Sequence, residues 1–589
     1  MCGMDLDDLR RTRLGDVLCA LALAVVMAAG WAWREWSALS ALRLPDTDDV
    51  MRLQQIRDWL GGQRFADLSQ HRLGAAPGLA MHWSRLPDLV PGAIIRSLTP
   101  LIGSHSAELT AVIVWPTLLF AAALALTARI ARVLGGAQVA RTAIVVAAVA
   151  FPVTTIFLPG RIDHHGLQIV LLLIIVRSLI SRPAMEPGLA AGLAAAASLV
   201  VGMETAPLIV AAGAAMTLEW LRARPGADDR MMGFGIGVGM GLLAASIVFR
   251  TNGWNYAGCD GFTMIAWRAG VIAAFAPMGM ALAARDIARP LTRAILGAII
   301  AALIGVGMVL VAPECLAPYG MVDPLLARLW LGKVGEAQSL FAAPLATAIG
   351  YCGVMVAGVV ASAWRLKATS DRRWGGLLIV QLVALALTCA QLRGAYAGAI
   401  LAAPGLAAVI AAARARGSVW LASAWVASAG MLYPIAAHAV VPAPSVRMTS
   451  GPEPSGQSQG ACTDPHALAD LAALPPGRLL APLDLGAYAI GATHFGVVGA
   501  PYHRNNDGNL AVYRFFLGAP VDGAAIARHW GVRYVALCSD AFADAPAGSV
   551  AGALRSGGGP RWLTPVGPRN RALRIFAVKP DLFPEPPTR

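Results

Sequence analysis

The turn "PGRIDHHG" joins two apolar stretches and carries three adjacent side chains that titrate or bind metal ions, Asp163, His164 and His165. Two other polar stretches also carry acids: "PDTDDV" contains Asp46, and "KVGEAQS" contains Glu336. Carboxylate oxygens together with an imidazole nitrogen suit Mn²⁺ or Mg²⁺, and the imidazole favours Mn²⁺. Such an ion neutralises a phosphate leaving group, so the pattern predicts Lewis-acid and electrostatic catalysis.

The same residues have a simpler interpretation as ordinary solvated side chains of surface loops. That interpretation is strongest for Asp48, Asp49 and His164 taken one at a time. It is weaker for Asp163 and His165, because their turn is too short to extend far from a bilayer.

Glu204 lies in "SLVVGMETAPLIV", where apolar residues flank it closely. An ionisable residue inside a membrane is a functional candidate by default, but a tight external turn between two spans explains it equally well. The run "GFGIGVGMG" at 233–241 follows no strand and begins an apolar span, so it predicts close helix packing rather than a phosphate loop.

Composition places these side chains in a polytopic membrane protein. The chain has 589 residues, of which 57% are hydrophobic and 14% charged, and its mean hydropathy is +0.61. Soluble domains contain only about 45–50% apolar residues. The net charge of +13 is distributed in short basic clusters between apolar stretches, as the positive-inside rule predicts. We therefore attribute the charge to topology and predict no nucleic-acid partner.

About thirteen segments are apolar and long enough to cross a bilayer. They are 17–33, 107–133, 140–158, 167–179, 188–201, 206–221, 231–249, 264–284, 294–311, 342–363, 375–389, 397–413 and 419–437. The arginines of 1–16 keep the start of the chain in the cytoplasm, and most of the alternate connections that follow are basic. The acidic and histidine-bearing loops, among them 35–106, 159–166 and 312–341, therefore lie outside.

The composition changes after the last span. Residues 439–460 form a Pro/Ser/Gly-rich linker, and 461–589 alternates helical patches with strand-like patches such as "RYVALC" and "LRIFAVK". The sequence thus predicts a transmembrane domain at 17–438 followed by a small α/β domain. Because the number of spans is odd, this domain also lies outside. We expect a cell inner membrane protein whose active site and C-terminal domain are on the periplasmic face.

The chain has eight cysteines, without the spacing of a zinc site. Cys259 with Cys315, and Cys462 with Cys538, fall in segments predicted to lie outside the cytoplasm, where disulfides persist. Each pair is either a disulfide or two free thiols.

These motifs, in their order along the chain, resemble the catalytic subunits of oligosaccharyltransferases, within the C-type glycosyltransferase (GT-C) superfamily. That family has thirteen spans, a long first external loop and an external C-terminal domain. In its first loop a metal-binding Asp precedes an Arg by six residues, and "DTDDVMR" has Asp46 and Arg52 at that spacing. "GLAMHWSRLPDL" resembles a second family region, in which Arg85 corresponds to the family Arg.

The resemblance also implies roles in the other external loops. The family carries D-x-D, D-N-E or D-H-H in its second external loop, which implies Asp163 and His165 as metal ligands and His164 pointing elsewhere. The family's fifth external loop has S-V-S-E-x-Q-P or T-I-x-E, and "KVGEAQS" resembles it with Glu336 in the Glu position. Arg393 in "QLRGAYAGAILAAP" is the candidate for the family Arg that contacts the lipid-linked diphosphate.

The acceptor side departs from the family. Oligosaccharyltransferases begin their soluble domain with W-W-D-Y-G, which grips the Ser or Thr of the acceptor sequon. Here Asp484 remains, but Pro482 and Leu483 replace both Trp residues. His494 follows ten residues after Asp484, where the family commonly has Asn. The donor side therefore matches the family better than the acceptor side does.

Topology and resemblance together imply a membrane glycosyltransferase with a GT-C fold. It would move a sugar or oligosaccharide from a polyprenyl phosphate or diphosphate to a lipid, glycan or protein acceptor. Asp46, Asp163, His165 and Glu336 would surround the divalent cation, with Asp46 and Glu336 also orienting the acceptor. The accessory candidates are Asp48, Arg52, Arg85, Glu204, Asp484 and His494.

Three rival functions stay open. One is an asparagine-linked oligosaccharyltransferase with a diverged sequon pocket, and another is a non-catalytic scaffold for envelope glycan assembly. The third is a lipid or glycan transporter that uses the acids as a cation path. A transporter predicts charges at mid-membrane within broken helices, whereas these charges cluster in the predicted external loops.

Overall fold

The computed structural model describes residues 6–317, 319–440, 462–567 and 572–584. The helices before residue 441 are α1 (Leu6–Arg34), α2 (Trp36–Ser40), α3 (Thr47–Leu60), α4 (Leu89–Ile102), α5 (Ser104–Ala148), α6 (His165–Leu179), α7 (Met185–Val201), α8 (Ala206–Leu221), α9 (Ala227–Val248), α10 (Met264–Ala283), α11 (Pro290–Val311), α12 (Pro324–Leu329), α13 (Leu345–Thr369), α14 (Arg373–Ala390), α15 (Gly394–Ala413), α16 (Ser418–Ser428) and α17 (Leu432–Val440). The later helices are α18 (Pro465–Ala472), α19 (Leu483–Ala492), α20 (Asn506–Leu517), α21 (Pro520–His529) and α22 (Val550–Arg555). The strands are β1 (Ser69–Gln70), β2 (Leu79–Ala80), β3 (Arg478–Leu480), β4 (Gly496–Val497), β5 (Tyr534–Cys538), β6 (Leu563–Val566) and β7 (Leu573–Val578).

Many of the helices are membrane spans by length and composition. Among the described residues, 8 helices are long and apolar enough to cross a membrane, and the bent pair of α16 and α17 makes up to 9. The shorter apolar helices α6, α7 and α8 also coincide with predicted spans. The predicted segments 107–133 and 140–158 both overlap α5, whose backbone leaves helical geometry at Gly136. The chain is therefore a multi-pass membrane protein, and the number thirteen stays a prediction.

The glycine run of α9 packs against α7. A Cβ atom on Gly233 would lie 2.3 Å from the carbonyl oxygen of Met185, and one on Gly237 would lie 2.6 Å from that of Leu189. Backbones approach this closely only where side chains are small, which is how helices gain contact within lipid. The prediction of close helix packing at 233–241 is confirmed.

The C-terminal region contains a mixed five-stranded sheet in the order β4-β3-β5-β7-β6. β3 pairs in parallel with β4 and β5, while β7 pairs antiparallel with β5 and β6. Every residue of the central strand β5 is buried, as expected for a strand covered on both faces. The patches "RYVALC" and "LRIFAVK" form β5 and β7, which confirms the predicted α/β character. Most of the predicted linker falls in 441–461, outside the described residues.

The C-terminal domain rests on the connection between α1 and α5. The Tyr502 hydroxyl donates to the Thr47 carbonyl oxygen at 3.0 Å, and the Tyr488 hydroxyl donates to that of Leu44 at 3.2 Å. These two bonds lie on either side of Asp46. We call this side of the membrane domain, which carries the α1–α5 connection and the C-terminal domain, the loop face.

Two disulfides link elements of the loop face. Cys259, after α9, is bonded to Cys315, after α11, and Cys462 is bonded to Cys538 at the end of β5. The sequence left each pair as either a disulfide or two free thiols, and in the structure both pairs form disulfides. The bonds therefore belong to the same face as the predicted external loops.

Reduction is expected to destabilise the C-terminal domain. Removing a native disulfide typically costs about 2–5 kcal/mol, because the unfolded chain regains the entropy of the open loop. We expect Cys462→Ser to lower the unfolding temperature of the purified protein and to reduce its response to dithiothreitol. Cys352→Ser, at a cysteine that forms no disulfide, is the matched control. An unchanged unfolding temperature in Cys462→Ser would contradict the bond.

Candidate functional site

The site begins at the N-terminus of α3. Asp46 is the N-cap residue, and its carboxylate accepts a hydrogen bond from the backbone N–H of Asp48 at 3.1 Å. An aspartate stabilises this position because it pairs with free N–H groups and with the positive end of the helix dipole. Asp49, in the first turn, is fully buried. One short segment thus directs three carboxylates toward the membrane domain.

The turn before α6 meets these acids through Arg161. Its guanidinium lies 2.9 Å from Asp46, 3.4 Å from Asp49 and 2.7 Å from Asp163, each distance joining a nitrogen to a carboxylate oxygen. The other carboxylate oxygen of Asp49 accepts the backbone N–H groups of Ile162 and Asp163 at 2.7 and 2.8 Å. We call Asp46, Asp49 and Asp163 with Arg161 the carboxylate cluster.

A second set of contacts places Glu336 and Arg393 beside this cluster. The Asp163 carboxylate accepts the backbone N–H of His165 at 3.0 Å, and the His165 Nε2 atom lies 3.9 Å from Glu336. Arg393 reaches the Glu336 carboxylate at 3.3 Å, and the Tyr396 hydroxyl donates to it at 3.4 Å. The structure therefore brings together all four predicted metal ligands and the predicted phosphate-binding arginine.

His164 points away from the cluster, as the resemblance implied. Its Nε2 atom lies 3.3 Å from the Glu204 carboxylate, which also accepts a hydrogen bond from Gln168 at 2.9 Å. Burial raises the pKa of Glu204, but the His164 imidazole outweighs that effect and holds this pKa well below its usual range. Glu204 is thus part of a hydrogen-bonded turn between α7 and α8, rather than a mid-membrane charge.

The pKa values of neighbouring carboxylates in the site are shifted in opposite directions. Burial, together with the charges of Asp46 and Asp163, raises the pKa of Asp48 well above its usual range. Burial also raises the pKa of Asp49, although Arg161 opposes it. Burial acts in the same direction on Asp163, but Arg161 and two adjacent imidazoles outweigh it and hold the Asp163 pKa well below its usual range. The carboxylates of Asp48 and Asp49 are therefore more basic than that of Asp163.

The predicted divalent-cation site does not have ligand geometry. Among the described residues, no group of three or more His, Cys, Asp or Glu side chains is arranged to hold a metal ion. The carboxylates of the cluster converge instead on the guanidinium of Arg161. The acids predicted as ligands are thus close together, but the position between them is filled by the Arg161 side chain, to which no sequence motif assigns a role.

Arg52 and Arg85, two of the accessory candidates, form a buried clamp within the first loop. Arg52 pairs with Asp88 at 2.5 Å, and Arg85 pairs with the same carboxylate at 3.3 Å, with all three side chains fully buried. Arg52 also stacks over Trp83. The two arginines hold the loop together through one shared acid, and their contacts do not include the carboxylate cluster.

Asp484 and His494 occupy opposite ends of α19. Burial and the charge of Asp46 raise the pKa of Asp484, so this carboxyl lies close enough to Asp46 to sense it. His494 follows the end of the helix and is exposed. Ten residues of helix span about 15 Å, so the structure brings Asp484 to the site and leaves His494 outside it.

Sequence reasoning missed Arg161 and the tyrosines that border the site. Arg161 lies within the "PGRIDHHG" turn two residues before Asp163, and that neighbouring acid is the signal in this turn that the arginine has a partner. Tyr396, one turn into α15, and Tyr319, which hydrogen-bonds Arg393, had no sequence signal because tyrosine is common at membrane boundaries.

No known protein-family profile and no curated protein sequence matches the chain. Solved structures do match. The oligosaccharyltransferase of Archaeoglobus fulgidus in the apo form has a TM-score of 0.68 at 14% identity, over 90% of this chain and 70% of that chain. The chain has the GT-C fold. This confirms the predicted fold class, a polytopic helical domain followed by a small domain that contains a sheet.

Two further matches are complexes of oligosaccharyltransferases from the same organism. The AglB oligosaccharyltransferase of A. fulgidus with an inhibitory peptide and a dolichol-phosphate has a TM-score of 0.66 at 14% identity, over 90% of this chain and 69% of that chain. The A. fulgidus oligosaccharyltransferase complex with zinc and sulfate has a TM-score of 0.61 at 13% identity, over 97% and 74% of the two chains. What these chains share with the present one is the fold.

The buried clamp of Arg52 and Arg85 on Asp88 predicts that loss of the Asp88 charge destabilises the fold. Removing one partner of a buried ion pair costs about 3–5 kcal/mol, because the remaining charge is left without compensation. We expect Asp88→Asn to lower the unfolding temperature strongly. Glu35→Gln is the control, because the Arg34–Glu35 pair is exposed and should contribute about 1 kcal/mol or less. A stable but inactive Asp88→Asn protein would instead support an accessory role for Arg52 and Arg85.

Proposed function

We propose that this protein is a membrane glycosyltransferase that uses a lipid-linked donor. It would transfer a sugar or oligosaccharide from a polyprenyl phosphate or diphosphate to an acceptor. The observation that supports this most is the convergence of Asp163, His165, Glu336 and Arg393 on the loop face of a GT-C fold. These residues come from three separate connections between helices, and together they form a charged site at the membrane boundary, where a lipid-linked phosphate is presented.

Arg393 is assigned to the donor phosphate. It begins α15 at the membrane boundary, and its guanidinium is held by Glu336 and by the hydroxyl of Tyr319. A fixed guanidinium binds phosphate oxygens through charge-assisted hydrogen bonds. It also stabilises the negative charge that develops on the phosphate as it leaves. The archaeal enzyme with a dolichol-phosphate supports a donor of this class.

Asp48 is assigned to the acceptor. Its raised pKa makes it a better proton acceptor than an ordinary aspartate, and the domain that carries Asp484 covers the same helix terminus. In the reaction the acceptor oxygen or nitrogen forms a bond to the anomeric carbon, and the bond from that carbon to the phosphate oxygen breaks. The electron pair leaves with the phosphate, and the acceptor proton passes to Asp48. Asp46 and Glu336 would orient the acceptor.

A lipid or glycan acceptor fits the C-terminal domain better than a protein sequon does. Pro482 and Leu483 stand at the start of α19 where the family has two tryptophans, and Leu483 is buried in the domain core. Neither side chain offers the indole N–H of a tryptophan. The alternative is an asparagine-linked oligosaccharyltransferase with a diverged sequon pocket, which the likeness to the archaeal enzymes favours.

We also propose that the loop face lies in the periplasm of a bacterial inner membrane. Both disulfides are on this face, and disulfides persist in oxidising compartments. The basic connections, which the positive-inside rule assigns to the cytoplasm, would then lie on the opposite side.

The function is tested with protein reconstituted in liposomes and given synthetic polyprenyl-phosphate and polyprenyl-diphosphate sugars. We expect donor consumption and release of the free lipid phosphate when membrane lipids or glycans are offered as acceptors. Arg393→Ala should raise the KM for the donor by roughly tenfold or more, the loss of a charge-assisted contact of about 1.5–3 kcal/mol. Arg57→Ala, which removes an arginine outside the site, should keep the wild-type KM.

Other outcomes of this assay would identify the rival functions. Glycosylation of a sequon peptide would establish the asparagine-linked alternative. Translocation of the donor across the liposome without its consumption would establish a flippase and reject the transferase. A folded protein that does neither, and whose Glu336→Ala variant fully complements a deletion strain, would indicate a scaffold.

The raised pKa of Asp48 predicts the pH dependence of transfer. Only the ionised carboxylate accepts a proton, so turnover should fall as the pH drops through a pKa that lies above the usual value of about 3.9 for aspartate. Asp48→Asn should lower kcat by about 10²–10⁴-fold and remove the fall in turnover at low pH, which is the acid limb of the pH profile. Asp48→Glu should retain this acid limb. Asp58→Asn, at the other end of α3, should leave the profile unchanged. An unaltered acid limb in Asp48→Asn would reject the assignment.

A further inference from the structure

The oxygens of the carboxylate cluster face N–H groups of their own chain, and one of them, the Oδ2 atom of Asp49, lies 3.4 Å from the Arg161 guanidinium without accepting a hydrogen bond. In each of its three acids, the Oδ2 atom faces the guanidinium of Arg161. The Oδ1 atom of Asp46 accepts from the Asp48 N–H, that of Asp49 from two backbone N–H groups, and that of Asp163 from the His165 N–H. A divalent ion would need carboxylate oxygens with free lone pairs that converge on one point. Here one oxygen of each acid is occupied by N–H donors, and the other points at a cation already present.

The backbone holds Arg161 in this position. Gly160 precedes it with a φ of +95°, a conformation that side chains rarely adopt, and a Cβ atom there would lie 2.9 Å from the Pro45 ring. Its N–H also donates to the Val112 carbonyl oxygen of α5 at 2.8 Å. The turn is thus pressed against the residue just before Asp46. Arg161 has only 13% of its side chain exposed, so it is built into the site.

We propose that the Arg161 guanidinium is the resident cation of the carboxylate cluster and takes the place of a divalent metal ion. A guanidinium keeps its charge at any physiological pH. Its planar nitrogens can pair with several carboxylates at once, as they do with Asp46, Asp49 and Asp163. It holds the α3 N-terminus against the turn before α6, the arrangement that a shared metal ion would otherwise maintain.

The proposal has a consequence for the proposed transferase, and that consequence rests on the proposed function. Positive charge near the leaving phosphate would come from two arginines of the chain, Arg161 within the carboxylate cluster and Arg393 beside it. Transfer should then withstand removal of divalent ions. Metal binding itself can be measured whether or not the protein is a transferase.

The test compares Mn²⁺ binding by the full-length protein and its variants in detergent after treatment with a chelator. We expect the wild type to retain no stoichiometric Mn²⁺ and to show no change in unfolding temperature when Mn²⁺ is added. Arg161→Ala leaves three carboxylates without a cation, and it should bind Mn²⁺ at least roughly tenfold more tightly than the wild type and be stabilised by it. Adding Asp163→Asn to Arg161→Ala should abolish the gained binding. Arg57→Ala should gain none.

A wild-type protein that retains a single Mn²⁺ or Zn²⁺, and loses it in Asp163→Asn, would overturn the proposal even if Arg161→Ala fails to fold. A folded Arg161→Ala protein that binds no more Mn²⁺ than the wild type would also overturn it. The transfer assay separates the two hypotheses. A wild type whose transfer activity is unaffected by the chelator supports both the transferase and Arg161 as the resident cation. A wild type that is active but loses its activity in the chelator supports the transferase and rejects Arg161 as the resident cation. Absent transfer with the expected metal results would reject only the transferase.

Discussion

Acidic side chains beside a bilayer must be neutralised, and the pairing of Arg161 with three carboxylates does this for the centre of the site. The low-dielectric surroundings make an unpaired charge expensive, by several kcal/mol per ion. One guanidinium joins the N-terminus of α3 to the turn before α6, two segments that are more than a hundred residues apart in sequence. The positions of Asp48, His165 and Glu336 follow from that junction, because each is attached to one of the joined segments or contacts one.

Around this centre the loop face is tied together by polar contacts and covalent bonds as well as by an apolar core, in which Met51 and Trp83 of the first loop are buried with Leu479 of the C-terminal domain. Arg52 and Arg85 share the buried Asp88, and Arg504 and His503 of the C-terminal domain bind the buried Asp260. Two disulfides add fixed points. Together with the apolar contacts, these links hold the C-terminal domain against the segment that carries Asp46.

Much of the architecture could be predicted from composition and periodicity. The apolar segments became helices, the glycine run of α9 became a helix contact, and "RYVALC" and "LRIFAVK" became strands β5 and β7. Of the site, Asp163, His165, Glu336 and Arg393 were assigned by motif and are neighbours in the structure. Arg52 and Arg85 were also assigned by motif, and His494 by its spacing from Asp484. A motif or a spacing does not define the partners of a side chain: the two arginines pair with Asp88, and His494 is exposed after the end of α19.

The sequence by itself determined that the chain is a multi-pass membrane protein and which acids lie in its loops, because hydropathy and charge act locally along the chain. Pro482 and Leu483 also mark a departure from the W-W-D-Y-G motif of the family that the chain resembles. Only the tertiary structure decided that a guanidinium lies among the acids and that Asp48 is more basic than Asp163. Those properties depend on distances between residues from separate loops and on burial by the C-terminal domain, and neither is encoded in any single segment.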